Sequence, residues 1–388
     1  MLAKGQPRPM PSDAETSHEM SHQGGQPYRI LDEDGNTLPG ADVPVVPDAD
    51  CLKLYRGMLQ VRLIDDRYIK LQRQGRLGFY MQSTGEEATH FGGAYALKLS
   101  DWVFPSYREP GIAFWRGYTV QDFTNQLYGN SADPIKGRQM PVHHSARWIN
   151  LVSISSPVGT QIPQAVGMAW AAKISKKDDV ALVYFGEGAT STGEFHVGMN
   201  FAGVGKAPCI FFCRNNGWAI STSQEKQTAS AGFAVKALAY GMPGVVVDGN
   251  DLLAIIAVMQ DAVKRARAGE GPTMIEARTY RRGGHSSSDD PSQYRDPAEV
   301  TAWETNDPIE RWRRYLVKRG LWTQAIHDQY ATEITEEMMT ALKTAEALGP
   351  PSLDTIFSDV FAQLPPHLVE QQAELLNGPR PKTGHGGH

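Results

Sequence analysis

Cysteine is scarce in this chain. Three residues in 388, Cys51, Cys209 and Cys213, cannot supply the disulfide framework of a small secreted fold. They read as buried thiols in a reducing compartment. No apolar run approaches the roughly 18 to 20 residues that span a bilayer, which excludes an ordinary membrane helix. Positive charge is not in excess. The formal net charge of −5 argues against broad electrostatic binding to nucleic acid, which needs a basic face. The opening MLAKGQPRPMPSDAETSHEM has no apolar core of the kind a secretory signal carries. Its Asp13, Glu15 and Glu19 fit poorly with an acidic-poor transit peptide, so the expected location is cytoplasmic. There is no GxxxxGK[ST] loop, nor a GxGxxG after a strand with an acidic partner, and the usual nucleotide and nicotinamide sites are therefore not indicated.

What is present is the patterning of a globular protein, with 41% hydrophobic and 21% charged residues. Residues 1–27, rich in Gly, Pro, Ser, Gln and His, read as a disordered leader. Residues 28–50 read as an extended arm suited to lie on another surface. From Cys51 to Gln74 the apolar residues Leu54, Met58, Val61, Leu63, Ile64, Tyr68 and Leu71 recur at helical spacing. Helical and strand patterns then alternate. VALVYF, CIFFC, GVVVDG and TMIEARTY are short apolar runs bounded by Gly, Asn or Pro, as in strands of a parallel sheet covered by helices on both faces. The fold class is α/β, a doubly wound, mostly parallel sheet over 51–306. Arg281–Asp296 reads as a polar loop, 307–375 as a helical C-terminal region and 376–388 as a tail.

One stretch raises a chemical question. Glu187 stands between Gly186 and Gly188 just after VALVYF. Asn216 stands 216 − 187 = 29 positions later, just after CIFFC. In such sheets ligands bind outside the carboxyl ends of the strands. Glycines beside Glu187 permit a sharp turn and close approach to a ligand. A helix starting near Ser191 would aim its N-terminal amides at an anion. An ionised carboxylate beside a bound anion requires a cation between them. The Glu187 carboxylate, the Asn216 side-chain oxygen and a nearby carbonyl are hard oxygen ligands suited to Mg2+ or Ca2+. A Gly-x-Gly alone fits a plain turn equally well; the companion Asn216 is what points to a diphosphate held through a divalent cation.

This pairing resembles the thiamine-diphosphate motif. Residues from about 50 to 300 resemble the alpha subunits of the decarboxylase component of branched-chain 2-oxo acid dehydrogenase complexes. The resemblance is carried by FYMQSTGEEA (79–88), FPSYREPG (104–111), DPIKGRQMPVHH (133–144), SSPVGTQIPQAVG (155–167), GEGATSTGEFHVGMNFA (186–202), CRNNGWAIST (213–222) and GGHSSSDDPSQYR (283–295). It implies thiamine diphosphate and Mg2+ as cofactors. Glu187, Asn216 and the backbone carbonyl of Trp218 would ligate the metal. Tyr107, Arg108, Arg214 and His285 would contact the diphosphate, a task for which the arginine fork is well shaped. Ser156 and the backbone of Val158, with Gly186, Gly188 and Ala189, would touch the aminopyrimidine. Ser155, Pro157, Thr160 and Gln161 resemble a K+-binding loop. His285 is the first choice for proton chemistry, since imidazole titrates near neutral pH. His143 is the second catalytic candidate, and Phe79 and Tyr80 would line the substrate pocket.

The resemblance also implies what the chain lacks. One α/β domain accounts for the diphosphate side, and no second domain of similar size is present for the pyrimidine side. A separate beta subunit would supply it in an alpha2beta2 heterotetramer, and a lipoyl-bearing acyltransferase core would take the acyl group. The expected reaction is oxidative decarboxylation of branched-chain 2-oxo acids. Pyruvate or acetoin dehydrogenase subunits, and a non-catalytic scaffold of the same fold, are the alternatives.

Overall fold

The computed structural model describes residues 25–379. Most of the leader and the last nine residues of the tail lie outside that range.

The five strands of the main sheet are β1 (Trp102–Phe104), β2 (Ala181–Gly186), β3 (Cys209–Asn215), β6 (Gly244–Asp248) and β7 (Thr273–Arg278). They stand in the order β1-β2-β3-β7-β6, and every pairing is parallel. A small antiparallel ribbon, β4 (Trp218–Ala219) with β5 (Thr222–Ser223), follows β3. The helices are α1 (Asp48–Arg73), α2 (Glu87–Tyr95), α3 (Pro110–Trp115), α4 (Val120–Tyr128), α5 (Gln161–Ile174), α6 (Gly193–Gly205), α7 (Leu252–Arg267), α8 (Pro297–Glu304), α9 (Pro308–Lys318), α10 (Gln324–Ala347), α11 (Thr355–Ser358) and α12 (Pro366–Asn377).

The sheet is apolar on both faces because it is covered on both. Side chains alternate across a strand. Leu182, Tyr184, Ile210, Phe212, Val245, Val247 and Ile275 face one core, built with α1, α2, α3 and α7. Ala181, Val183, Phe185, Cys209, Phe211 and Cys213 face a second core against α5 and α6. The doubly wound parallel sheet expected from the apolar runs is the one observed. Cys209 and Cys213 lie on one face, buried and free, as does Cys51 elsewhere. The expected strands match β2, β3, β6 and β7. The three-residue β1 has too short an apolar run to announce itself. The C-terminal helices are not set apart: Trp312 and Leu316 of α9, and Ile334 and Met338 of α10, enter the first core. Helix α12 extends to Asn377, into the segment read as tail.

The arm lies on its own chain. Ile30 and Leu31 are fully buried. Their backbone amides donate to Asp251 Oδ2 at 2.7 and 2.6 Å, and Tyr28 bridges in parallel to Val247. Asp251 also caps α7, its Oδ1 accepting from Ala254 N at 3.1 Å. Burial beside Asp248 lifts the Asp251 pKa to about 6 in spite of these donors. One side chain thus joins the arm to the sheet. Asp251→Ala removes a cap and leaves two buried amides unpaired, a loss of roughly 3 kcal/mol. Asp251→Asn keeps an acceptor oxygen and costs less than half as much. Equilibrium unfolding in urea of the two variants against wild type measures both losses.

Candidate active site

The carboxyl ends of β2, β3 and β7 open on a cleft of about 270 Å³. Of the residues singled out in the sequence, Tyr107, Arg108, Ser155, Val158, Gln161, Gly186, Glu187, Gly188, Ala189, Arg214, Asn216, Trp218 and His285 line it. They come from five separate stretches of chain. The strand register explains the central meeting. Gly186 at the end of β2 pairs with Arg214 near the end of β3, so Glu187 and Asn216, the residues beyond, face the same space.

Glu187 is buried, and its two oxygens accept from neutral donors, Asn216 N at 3.3 Å and Gln227 Nε2 at 3.3 Å. Burial raises its pKa. The bonds from Gln227, Asn216 and its own backbone offset part of the rise, and Glu86 adds to it. The glycines act differently from the expectation. Neither has the left-handed backbone that a sharp turn would demand. Gly186 leaves open space where a Cβ would stand, and at Gly188 a Cβ would meet that of Ala219 at 2.8 Å. Their role is clearance. A 3-10 turn, Glu187–Ser191, intervenes before α6, which starts at Gly193 with Thr192 as its cap.

Asn216 donates its Nδ2 to Glu86 Oε1 at 3.0 Å and accepts the Trp218 amide on Oδ1 at 3.2 Å. Gly217, at φ +86°, makes that tight reversal possible. The Trp218 carbonyl, an expected metal ligand, accepts from Arg281 Nη1 at 3.1 Å. A carbonyl has two lone pairs, so one is left.

Arg214 is less free than expected. Nη1 pairs with Glu86, while Nη2 pairs with Glu109 and donates to Ser106 Oγ at 3.0 Å. Its buried Nε has no partner, and neither does Nε of Arg281.

Arg108 donates Nη1 to the Gln82 carbonyl at 2.5 Å and Nη2 to the His285 carbonyl at 2.9 Å. Nη2 also stands 3.3 Å from His285 Nδ1. Arginine offers only donors, so Nδ1 carries the lone pair and the imidazole proton sits on Nε2. Burial, then the positive fields of Arg108 and Arg281, hold the His285 pKa down to about 4 against the opposing pull of Asp289. The imidazole is neutral at neutral pH. Asp289 holds its loop by accepting His285 N at 2.6 Å and the Tyr294 hydroxyl at 2.5 Å.

The structure does not bring every candidate to the cleft. His143 and Ser156 meet beside it: Ser156 Oγ donates to His143 Nε2 at 2.7 Å, and His143 Nδ1 donates to the Pro141 carbonyl at 3.0 Å. The Tyr107 ring stands between them and His285, 6.3 Å from the His143 ring and 6.0 Å from that of His285. Tyr80 is fully buried, and its hydroxyl donates to Asp65 at 2.8 Å. Phe79 packs against the first core. In the 155–161 loop, Thr160 Oγ1 lies 2.8 Å from Ser155 Oγ and 2.9 Å from the Pro157 carbonyl. Gln161 donates Nε2 to the Tyr184 carbonyl at 2.9 Å, and its buried Oε1 has no partner.

Sequence reading missed Glu86, Glu109 and Arg281. The pair Glu86–Glu87 lies inside FYMQSTGEEA, a quoted stretch, yet no local signal distinguishes the first glutamate from a surface residue at a helix start.

Residues 55–353 match the family described as Dehydrogenase E1 component. The 2-oxoisovalerate dehydrogenase subunit alpha 2, mitochondrial, of Arabidopsis thaliana is 42% identical over 346 residues, 89% of this chain and 73% of that protein. The 2-oxoisovalerate dehydrogenase subunit alpha, mitochondrial, of Mus musculus is 44% identical over 349 residues, 90% of this chain and 79% of the relative. The Homo sapiens protein of the same name is 44% identical over 349 residues, 90% and 78% of the two chains.

Proposed function

The chain belongs to the dehydrogenase E1 component family, and from that premise we propose that it is the alpha subunit of a branched-chain 2-oxo acid dehydrogenase. The relatives, all alpha subunits of 2-oxoisovalerate dehydrogenase, supply the substrate class. The observation that carries the chemistry is the meeting of Glu187 and Asn216 in one cleft with Arg108, Arg214, Arg281 and His285.

The family is thiamine-diphosphate dependent, and the residues present suit that group. Glu187 is a buried carboxylate with neutral donors, which a divalent cation would complement. Two buried arginine nitrogens lack acceptors, and diphosphate oxygens are acceptors. Gly186 leaves room for close approach. Glu187, Asn216 and the Trp218 carbonyl would hold Mg2+, while Tyr107, Arg108, Arg214 and His285 would hold the diphosphate. Ser156, Val158, Gly186, Gly188 and Ala189 would face the aminopyrimidine. The oxygens of Ser155, Pro157, Thr160 and Gln161 would take K+, a reading supported by the unpartnered Gln161 Oε1. When bound, thiamine diphosphate supplies the electron sink for decarboxylation of a 2-oxo acid. His285 Nε2–H would donate to an oxygen of the acyl group as it passes to a lipoyl carrier. His143, its tautomer held by Pro141 and Ser156, would steady the Tyr107 side of the pocket.

An alpha subunit works with a beta subunit. The heterotetramer alpha2beta2 and the acyltransferase core are part of the proposal. Among the described residues no helix is long and apolar enough to cross a membrane. The opening residues set the expectation of a cytoplasmic protein, whereas the relatives are named mitochondrial; fractionating source cells with an antibody to the chain distinguishes the two.

Calorimetric titration of thiamine diphosphate with Mg2+ into the chain, with and without its beta subunit, tests the reading. The expected result is tight binding, and turnover of 3-methyl-2-oxobutanoate above that of pyruvate, in the two-subunit sample only. Turnover by the chain alone would refute the shared site, and a preference for pyruvate would move the substrate class.

A further inference from the structure

We propose that Glu86 is a positioning residue that decides which end of the Asn216 amide faces a divalent cation. This rests on the reading of Glu187 and Asn216 as metal ligands. An asparagine amide is nearly symmetric in shape, yet only its oxygen ligates a hard cation. Something must keep it from turning over. Glu86 is fully buried at the start of α2, and its Oε1 accepts Asn216 Nδ2 at 3.0 Å. An ionised carboxylate only accepts hydrogen bonds, so it takes the nitrogen end and leaves the oxygen end for the cleft. The backbone repeats the instruction, since Trp218 N donates to the same Oδ1.

Glu86 is itself held in place. Its Oε2 pairs with Arg214 Nη1, and Arg108 Nε stands 3.8 Å from Oε1. The carboxylate is therefore oriented by the two arginines that line the same cleft. Its arrangement resembles the outer-shell partners that fix ligand orientation in other metal sites. Glu109 is the informative contrast. It pairs with Arg214 and accepts the Ser106 hydroxyl at 2.7 Å, and no bond joins it to the Asn216 amide.

The test uses the assembled alpha–beta enzyme, with Mn2+ and thiamine diphosphate as probes and bound Mn2+ read by electron paramagnetic resonance. Glu86→Gln offers an amide that can accept from Asn216 or donate to it, so only the Trp218 amide still favours one orientation. Mn2+ affinity should fall about tenfold or more, and Glu109→Gln should have the smaller effect. The double variant Glu86→Gln with Asn216→Asp removes the need for an orienter, because both carboxylate oxygens can ligate and the glutamine nitrogen can donate to one of them. It should recover Mn2+ affinity to within about threefold of wild type. A Glu86→Gln enzyme that binds Mn2+ as wild type does, or a double variant no better than Glu86→Gln, would overturn the proposal. If Glu86→Gln does not fold, the double variant decides alone: near-normal binding supports the role and weak binding refutes it. A wild-type enzyme that binds neither probe would instead overturn the metal-site reading on which this inference stands.

Discussion

Replacing Glu187 by glutamine should lower turnover of the two-subunit enzyme by about 10³-fold while making the isolated chain harder to unfold. The first effect follows from the loss of the one charged metal ligand. The cation would anchor the diphosphate, and about 4 kcal/mol of lost anchoring corresponds to a thousandfold, since each 1.36 kcal/mol is tenfold. Metal-dependent binding of thiamine diphosphate should weaken in the same variant. The second effect has the opposite sign. In the chain alone Glu187 is a buried carboxylate whose partners are neutral, and burial already pushes its pKa upward. Removing that charge should stabilise the fold by on the order of 1 kcal/mol. Steady-state kinetics on the two-subunit enzyme and guanidinium unfolding of the isolated chain check both signs. A variant that lost stability and activity together would mean that Glu187 is a structural carboxylate.

His285→Asn should reduce acyl transfer to a lipoyl acceptor by about 10²- to 10³-fold, with little change in thiamine-diphosphate affinity. Asparagine retains a donor and leaves the His285 carbonyl, which holds Arg108, in place. Decarboxylation read with an artificial electron acceptor should fall less than transfer to lipoamide, and that split identifies a residue acting late. The pH behaviour provides a second check. Burial, Arg108 and Arg281 hold the His285 pKa down to about 4, whereas a free imidazole titrates near 6.5. Between those values the unfolded chain binds a proton that the native chain refuses, so stability falls as pH drops through that window. The asparagine variant should show a shallower loss. A bound diphosphate offsets the arginine charges and raises the histidine pKa, so the cofactor should flatten the wild-type slope as well. Thermal melts at pH 7 and pH 5, with and without cofactor, measure this.

The strands that hold the site were legible because each is a short apolar run, β2 ending in Gly186 and β3 in Asn215. The meeting of Glu187 with Asn216 follows once β2 and β3 are neighbours. Glu86 was not legible, because its significance comes from lying against Arg214 and Asn216, 128 and 130 positions along the chain. The same holds for Arg281, which reaches back to Trp218 and Ile220 from the polar loop. Tyr80 misled for the opposite reason. An aromatic residue next to a functional stretch looks like pocket lining, but Asp65 holds it inside the fold. The arm looked made for a partner because it is extended and rich in Pro and Asp. Two of its buried aliphatic residues, Ile30 and Leu31, depend on a carboxylate some 220 positions away.

The arm also bears on how the chain survives before assembly. Strand β6, GVVVD, is the last in the sheet, and an uncovered terminal strand is a template for other chains. Tyr28 occupies that edge by donating its amide to Val246 O and accepting Asp248 N. A fragment cut beyond Leu31 would therefore expose a sticky valine-rich rim. Its failure in a cell would take the form of insoluble protein, a defect of solubility that an activity assay would mistake for one of catalysis.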